Sequence, residues 1–180
     1  MKRLYPTLLA LSAALVPTVA SAATWFDLRI PAPACQPRNS TDAAKLKLTN
    51  GVWTFATGHS GEARLFCPLH LSRPDAQADS VNIASFRLWY HDPDGDGASS
   101  FVRADLLRRS RTSTVDSLVT GGVVDSDDFV DNFFIRTMLF VNHTASFLLF
   151  TYHVEVTLQR DTTATATPAF VGLDFQPSPQ

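Results

Sequence analysis

The 180-residue sequence predicts an all-β fold: an antiparallel β-sandwich of jelly-roll or Greek-key type, with about ten short strands. Three observations carry this. Apolar and polar residues alternate with a period of two along most of the chain. Turn residues recur between the alternating runs, and no stretch holds the helical period of an amphipathic helix.

The first residues stand apart. Lys2 and Arg3 precede an apolar run from Leu8 to Val19, and Ala20-Ser21-Ala22 offers a small-x-small cleavage site. That is the layout of a secretory signal peptide over residues 1–22. The run is far shorter than the roughly 20 apolar residues that span a bilayer, and no later stretch reaches that length. Residues 23–176 are then expected to form one sandwich domain, followed by a disordered tail at 177–180. The protein is expected to be secreted or periplasmic, without a membrane span.

The elements follow in order. Thr24 to Ile30 places Phe26, Leu28 and Ile30 on one face, and Pro31 and Pro33 end that strand because proline cannot donate to a ladder. Residues 36–44 read as polar loop. Lys45 to Thr57 reads as a tight hairpin about Asn50-Gly51, which tolerates the positive φ angles of a type I′ turn. That turn sets Leu48 opposite Trp53 and Leu46 opposite Phe55, with Trp53 in the core. After a turn at Gly58–Gly61, Glu62 to Leu69 points Ala63, Leu65, Cys67 and Leu69 inward. Residues 72–80 are loop.

Ser85 to Arg108 then gives the strongest hairpin signal of the chain. Phe86, Leu88 and Tyr90 face in, Arg87, Trp89 and His91 face out, and Val102, Ala104 and Leu106 match on the return. Ser110 to Thr120 reads as an edge strand broken by Gly121-Gly122. Phe133 to Val141 is apolar on both faces, as in a central strand, and Asn142 to Ser146 is a turn. Phe147 to Arg160 is the longest strand, with Leu148, Phe150, Tyr152, Val154, Val156 and Leu158 inward and His153 on a wet face. A Thr/Ala linker at 161–168 and a final strand, Ala169 to Phe175, complete the domain.

Composition bounds the function. The chain holds 15 Lys+Arg and 17 Asp+Glu; without residues 1–22 these become 13 and 17, a formal charge of −4. Such a chain has no electrostatic reason to seek nucleic acid or anionic lipid. The local exception is Arg103, Arg108, Arg109 and Arg111, which reads as a solvated strand-to-turn passage. Cys35 and Cys67 are the two cysteines, and in an oxidising compartment a lone pair is most simply a disulfide. A metal pair or a reactive thiol is the alternative, without supporting His or Cys spacing.

The densest set of possible ligands is Asp92-Pro93-Asp94-Gly95-Asp96-Gly97. Alternate carboxylates can converge on a hard cation while glycine folds the backbone around it, so Asp92, Asp94 and Asp96 are the candidate calcium ligands. The match to an EF-hand stops there, because the twelfth position is Arg103 and the flanks are strands. Asp125, Asp127 or Asp128 from a neighbouring loop are candidates to join them. Asp and Gly are also what turns are made of. Gly58-His59-Ser60-Gly61-Glu62 falls one glycine short of a nucleophile elbow and lacks its strand-turn-helix setting. The five histidines show no zinc spacing. Trp25 and Trp89 fall on polar faces, where a ring suits sugar stacking or a protein interface, and are the candidate ligand-binding residues. Asn39-Ser40-Thr41 and Asn142-His143-Thr144 match the glycosylation sequon.

Cys35, then Phe66-Cys67-Pro68-Leu69, then Leu88-Trp89-Tyr90 before the Asp/Gly loop, with Tyr152 to Arg160 and Val171-Gly172-Leu173 at the end, resembles a group of small exported bacterial β-sandwich proteins with a Cys…Cys-Pro pair. The resemblance implies the fold and the disulfide and brings no activity. The expected function is therefore a non-enzymatic binding or structural role outside the cytoplasm, with no cofactor required and calcium as the one candidate the Asp92-Asp94-Asp96 loop offers. Its partner would be a glycan or another surface protein. The alternatives are a carbohydrate-active module, lectin-like or a glycoside hydrolase using loop carboxylates, and a self-assembling jelly-roll surface protein.

Overall fold

The computed structural model describes residues 28–69, 80–130, 136–139, 143–162 and 164–177. The proposed signal peptide, Trp25 and Phe26 lie outside them. The described residues form two antiparallel sheets, as the alternation predicts. One sheet holds β1 (Leu28–Pro31), β3 (Leu46–Thr49), β4 (Val52–Phe55), β6 (Ser80–His91), β9 (Arg136–Leu139), β10 (His143–Ser146) and β12 (Ala169–Pro177). The other runs in the order β2 (Gln36–Pro37), β5 (Gly61–Leu69), β11 (Phe150–Arg160), β7 (Ser100–Ser110), β8 (Asp116–Asp125).

In the first sheet β6 and β12 pair along the middle. β10 and β9 follow one another along the free edge of β6, and β4 and β1 do the same along β12. In the second sheet β11 is hydrogen-bonded on both edges over nearly its whole length. The inward faces meet in one core. Phe86, Leu88 and Tyr90 of β6 are fully buried, and so are Val102, Ala104 and Leu106 of β7 and Val154, Val156 and Leu158 of β11. Two bulges keep the first sheet's apolar residues inward. One residue is skipped at Ala84, between Ile83 and Phe86, and another at Val171, between Phe170 and Leu173.

The hairpin about Asn50-Gly51 has the expected register, Leu46 to Phe55 and Leu48 to Trp53, with φ of 52° and 79° at the two turn residues. The larger hairpin does not exist. β6 and β7 carry the predicted faces but belong to different sheets, so Ser85 to Arg108 is an arch that crosses the sandwich. Alternation specifies which face of a strand is buried; it does not specify which strand lies beside it.

Three smaller expectations also change. A short helix, α1 (Ser40–Lys45), replaces part of the 36–44 loop, because Asn39 Oδ1 accepts the amide of Asp42 at 2.9 Å and caps it. Residues 143–146 pair with β6 as β10, and the turn falls at 147–149, leaving Leu148 exposed instead of inward. Of the run from Phe133 to Val141 only β9 is described, and it pairs with β6; residues 133–135 and 140–141 lie outside the described residues. Gly121-Gly122 does not end β8 but forms a bulge opposite Leu106. A Cβ at Gly122 would lie 2.8 Å from the Val119 carbonyl oxygen and 3.0 Å from Leu106 Cβ.

The disulfide joins Cys35 to Cys67. Cys35 follows the three-residue turn Ala32–Ala34, where the chain passes from β1 in one sheet to β2 in the other, and the bond fastens that passage to β5. Closing a loop with a separation of 32 residues is worth about 3.7 kcal/mol in the chain-entropy model. Replacing both cysteines by serine should lower the unfolding free energy by about that amount in urea titrations, with the native far-UV spectrum kept below the transition.

Candidate functional site

The arch between β6 and β7 brings together the carboxylates that the sequence singles out. Asp92, at the end of β6, is fully buried. Its Oδ2 accepts the Ser126 hydroxyl, and Ser126 Oγ in turn accepts the Val102 amide at 2.8 Å. The Ser100 hydroxyl lies between Asp92 Oδ1, at 2.8 Å, and Asp94 Oδ1. Asp94 Oδ2 also accepts the Ser99 hydroxyl at 2.6 Å and the amides of Ser99 and Ser100 at 2.9 and 3.1 Å.

This arrangement sets the protonation. Burial pushes Asp92 up to about 7, against the hydrogen bonds from Ser126 and Ser100. Burial would raise Asp94 too, but bonds from Ser100, Ser99 and Asp92 outweigh it and hold Asp94 at about 2. Ser100 has one proton for two carboxyl oxygens, and a proton on Asp92 completes the chain Asp92–Ser100–Asp94. Asp125 and Asp127 join from the β8 end. Burial raises both, and Asp127, facing the charges of Asp125, Asp94, Asp128 and Asp96, reaches about 6. Asp127 Oδ1 is buried without a hydrogen-bond partner, and Asp96 and Asp128 are exposed. Among the described residues no three of these groups are placed as a ready ligand set for a metal ion.

The second cluster lies on the outer face of the five-stranded sheet. Phe66 points away from the core between the buried Leu65 and Cys67 and is 41% exposed. Its ring centroid lies 4.8 Å from that of His153. Glu155, beside Phe66 on β11, accepts Arg38 Nη1 and, at 3.1 Å, Arg64 Nη1; Arg64 Nε also donates to Glu62 at 2.6 Å. On the far side of the face, Arg109 grips Asp116 with two bonds of 2.7 and 2.8 Å, and Asp116 Oδ2 stands 3.7 Å from His153 Nε2. His153 is buried under this cover and is not the wet residue that the alternation predicts. Burial lowers its pKa, against the nearby Asp116 carboxylate.

Trp89 sits on the outer face of the other sheet, half-buried, and its indole N–H donates to Asp174 Oδ2 at 2.8 Å. Trp25 lies outside the described residues. Trp53 is partly buried against the core and donates to the Ala32 carbonyl at 2.9 Å. The aromatic residue that sequence reasoning missed is Phe66. Its signal is plain in retrospect: it is the one aromatic in the Glu62-Arg64-Phe66 outward series of β5.

No protein-family model matches the chain, and no curated protein matches it. Among solved structures it is similar to a low-affinity xylan-binding module from the gut symbiont Roseburia intestinalis, with 11% identity over 85% of this chain and 96% of that one and a TM-score of 0.45. It is also similar to another xylan-binding module, with 11% identity, 87% and 99% coverage and a TM-score of 0.46. A carbohydrate esterase from Cellvibrio japonicus matches at 11% identity and a TM-score of 0.42, over 86% of this chain and 34% of that one. With TM-scores under 0.5 and 11% identity, these likenesses carry no argument about this chain.

The arch makes a pH-dependent contribution of known sign. With its folded pKa near 7 against 3.8 for a free aspartate carboxyl, Asp92 stabilises fully below the unfolded value, and this is lost as pH rises through about 7. Asp94 acts oppositely, and its contribution disappears only as pH falls through about 2. Asp92→Asn, neutral at every pH, should therefore gain in Tm relative to the native protein between about pH 5 and about pH 8. A Tm difference that does not change over that range, measured by calorimetry, would refute the assignment.

Proposed function

We propose that the protein is a non-catalytic binding module, working where disulfides persist, that takes an uncharged glycan on the outer face of the five-stranded sheet. One observation carries the reading: the exposed Phe66 ring is seated on His153 and framed by guanidinium and carboxylate groups already locked together. A sugar ring offers an apolar C–H face to an aromatic ring, and its hydroxyls accept from guanidinium and donate to carboxylate. Arg38, Arg64 and Arg109 are matched on this face by Glu62, Glu155 and Asp116, a balance that favours a neutral ligand over an acidic one. The groups are held before a ligand arrives, so little side-chain ordering opposes binding. At Trp89, by contrast, the indole N–H is engaged by Asp174.

Affinity electrophoresis through gels containing neutral polysaccharides tests this. A neutral polysaccharide should retard the native protein, and Phe66→Ala should abolish retardation while leaving Tm within a few degrees of native, since Phe66 lies outside the core. Trp89→Ala should migrate like the native protein. Equal retardation of Phe66→Ala and native protein, or no ligand on a glycan array, would overturn the proposal.

Calcium enters the same proposal as a stabiliser of the arch. Its support is the buried, unpartnered Asp127 Oδ1 among the charges of Asp94, Asp96, Asp125 and Asp128. Asp92 and the Oδ2 of Asp94 are already engaged by serine, so a cation would draw on Asp127 and the exposed Asp96 and Asp128. Millimolar calcium should raise Tm by several degrees over chelator, the range of a weak extracellular site. The rise should vanish in Asp127→Asn, and equal Tm values in calcium and chelator would remove calcium from the account.

A further inference from the structure

The turn between β10 and β11 is Phe147-Leu148-Leu149, without the Gly, Pro, Asn, Asp or Ser that tight turns usually employ. Leu148 is 56% exposed and Leu149 58%, side by side at one end of the sandwich. Phe147 and Phe150 on either side pack partly into the core, so the flanks are anchored while the two leucines project.

Arginine surrounds this tip. Arg111, on the neighbouring β7–β8 turn, donates its backbone N–H to the Leu149 carbonyl at 3.1 Å and its Nη2 to the Phe147 carbonyl at 3.0 Å. Its charge is thereby fixed at the base of the leucine turn. Arg108 lies over the Phe150 ring, 4.9 Å from its centroid, with a buried Nε that finds no acceptor. Arg109 lies on the outer face of the five-stranded sheet, where Asp116 neutralises it, and takes no part in the tip. Among the described residues Arg108 and Arg111 are ion-paired to no carboxylate, so the described part of this end is cationic on a chain whose net charge is −2.

We propose that this end of the sandwich docks on an anionic bilayer surface, with Leu148 and Leu149 entering the interface and Arg108 and Arg111 meeting lipid phosphates. Charge complementarity selects this occupant. A protruding apolar pair with a cationic collar matches the boundary between acyl chains and anionic headgroups. A purely electrostatic contact would not need the leucines, and an apolar contact with a second copy would set the two arginine collars against each other. The glycan face and this tip are separate surfaces, so both can be engaged by one molecule.

The test is co-sedimentation of residues 23–180 with vesicles of phosphatidylcholine alone or mixed with phosphatidylglycerol. The protein should pellet with the mixed vesicles and bind pure phosphatidylcholine about tenfold more weakly or less. Leu148→Ser with Leu149→Ser should lose most of the binding, and Arg111→Gln should weaken it and reduce its salt dependence. Circular dichroism and Tm verify that each variant is folded. Equal binding to both vesicle types, or full binding by the folded double-serine variant, would overturn the proposal. So would a dimer by light scattering that the same two substitutions dissociate, since that would assign the leucines to a second copy.

Discussion

The fold depends on how the chain crosses between its two sheets, and the buried carboxyl of Asp92 governs the crossing from β6 to β7. One hydroxyl comes from the start of β7 and another from the end of β8, so a single side chain ties the first sheet to two strands of the second. A carboxyl left in that position without donors would be heavily penalised. With the two serines, and a proton shared toward Asp94, it becomes a fixed point from which the strands diverge. The Cys35–Cys67 bond does the same covalently at another crossing. Between these two fasteners the inward faces of β5, β6, β7, β11 and β12 build the core.

Much of this was legible in the sequence, and the division has a physical reason. The period of two assigns each residue of a strand to one side, so the buried sets 63/65/67/69, 86/88/90 and 102/104/106 follow directly. A two-residue turn ties its strands closely enough to set register, and the Asn50-Gly51 hairpin is right to the residue. A ten-residue excursion such as His91 to Ser100 leaves partners free, and there β6 and β7 part into different sheets instead of pairing. Helix α1 escaped notice because one capping residue suffices to close a turn too short to show periodicity. Of the sites, the convergence of the arch carboxylates could be anticipated from local composition. The environment of Phe66 could not, because Gln36, Glu155 and His153 reach it only through the ladder.

The charges illustrate how little a net value says about a surface. The outer face of the five-stranded sheet is neutralised pair by pair, the arch gathers acid, and the β10–β11 end keeps two arginines that no described carboxylate neutralises. One sheet thus meets three electrostatic environments, with the arch and the leucine turn at opposite ends of β7, each set by which loops the topology brings there.

The bulge at Gly121-Gly122 has a consequence for solubility. β8 closes the five-stranded sheet, and its segment from Ser117 to Val124 holds no charged residue and no proline, the profile of an edge that recruits further strands. The four residues that interrupt its register with β7 make the strand kink just where a straight edge would be most adhesive. A neighbouring molecule attempting to extend the sheet would find the ladder out of step halfway along. The same two glycines that let the strand hug Leu106 therefore act against fibrous stacking, and they do it without placing a charge on the edge.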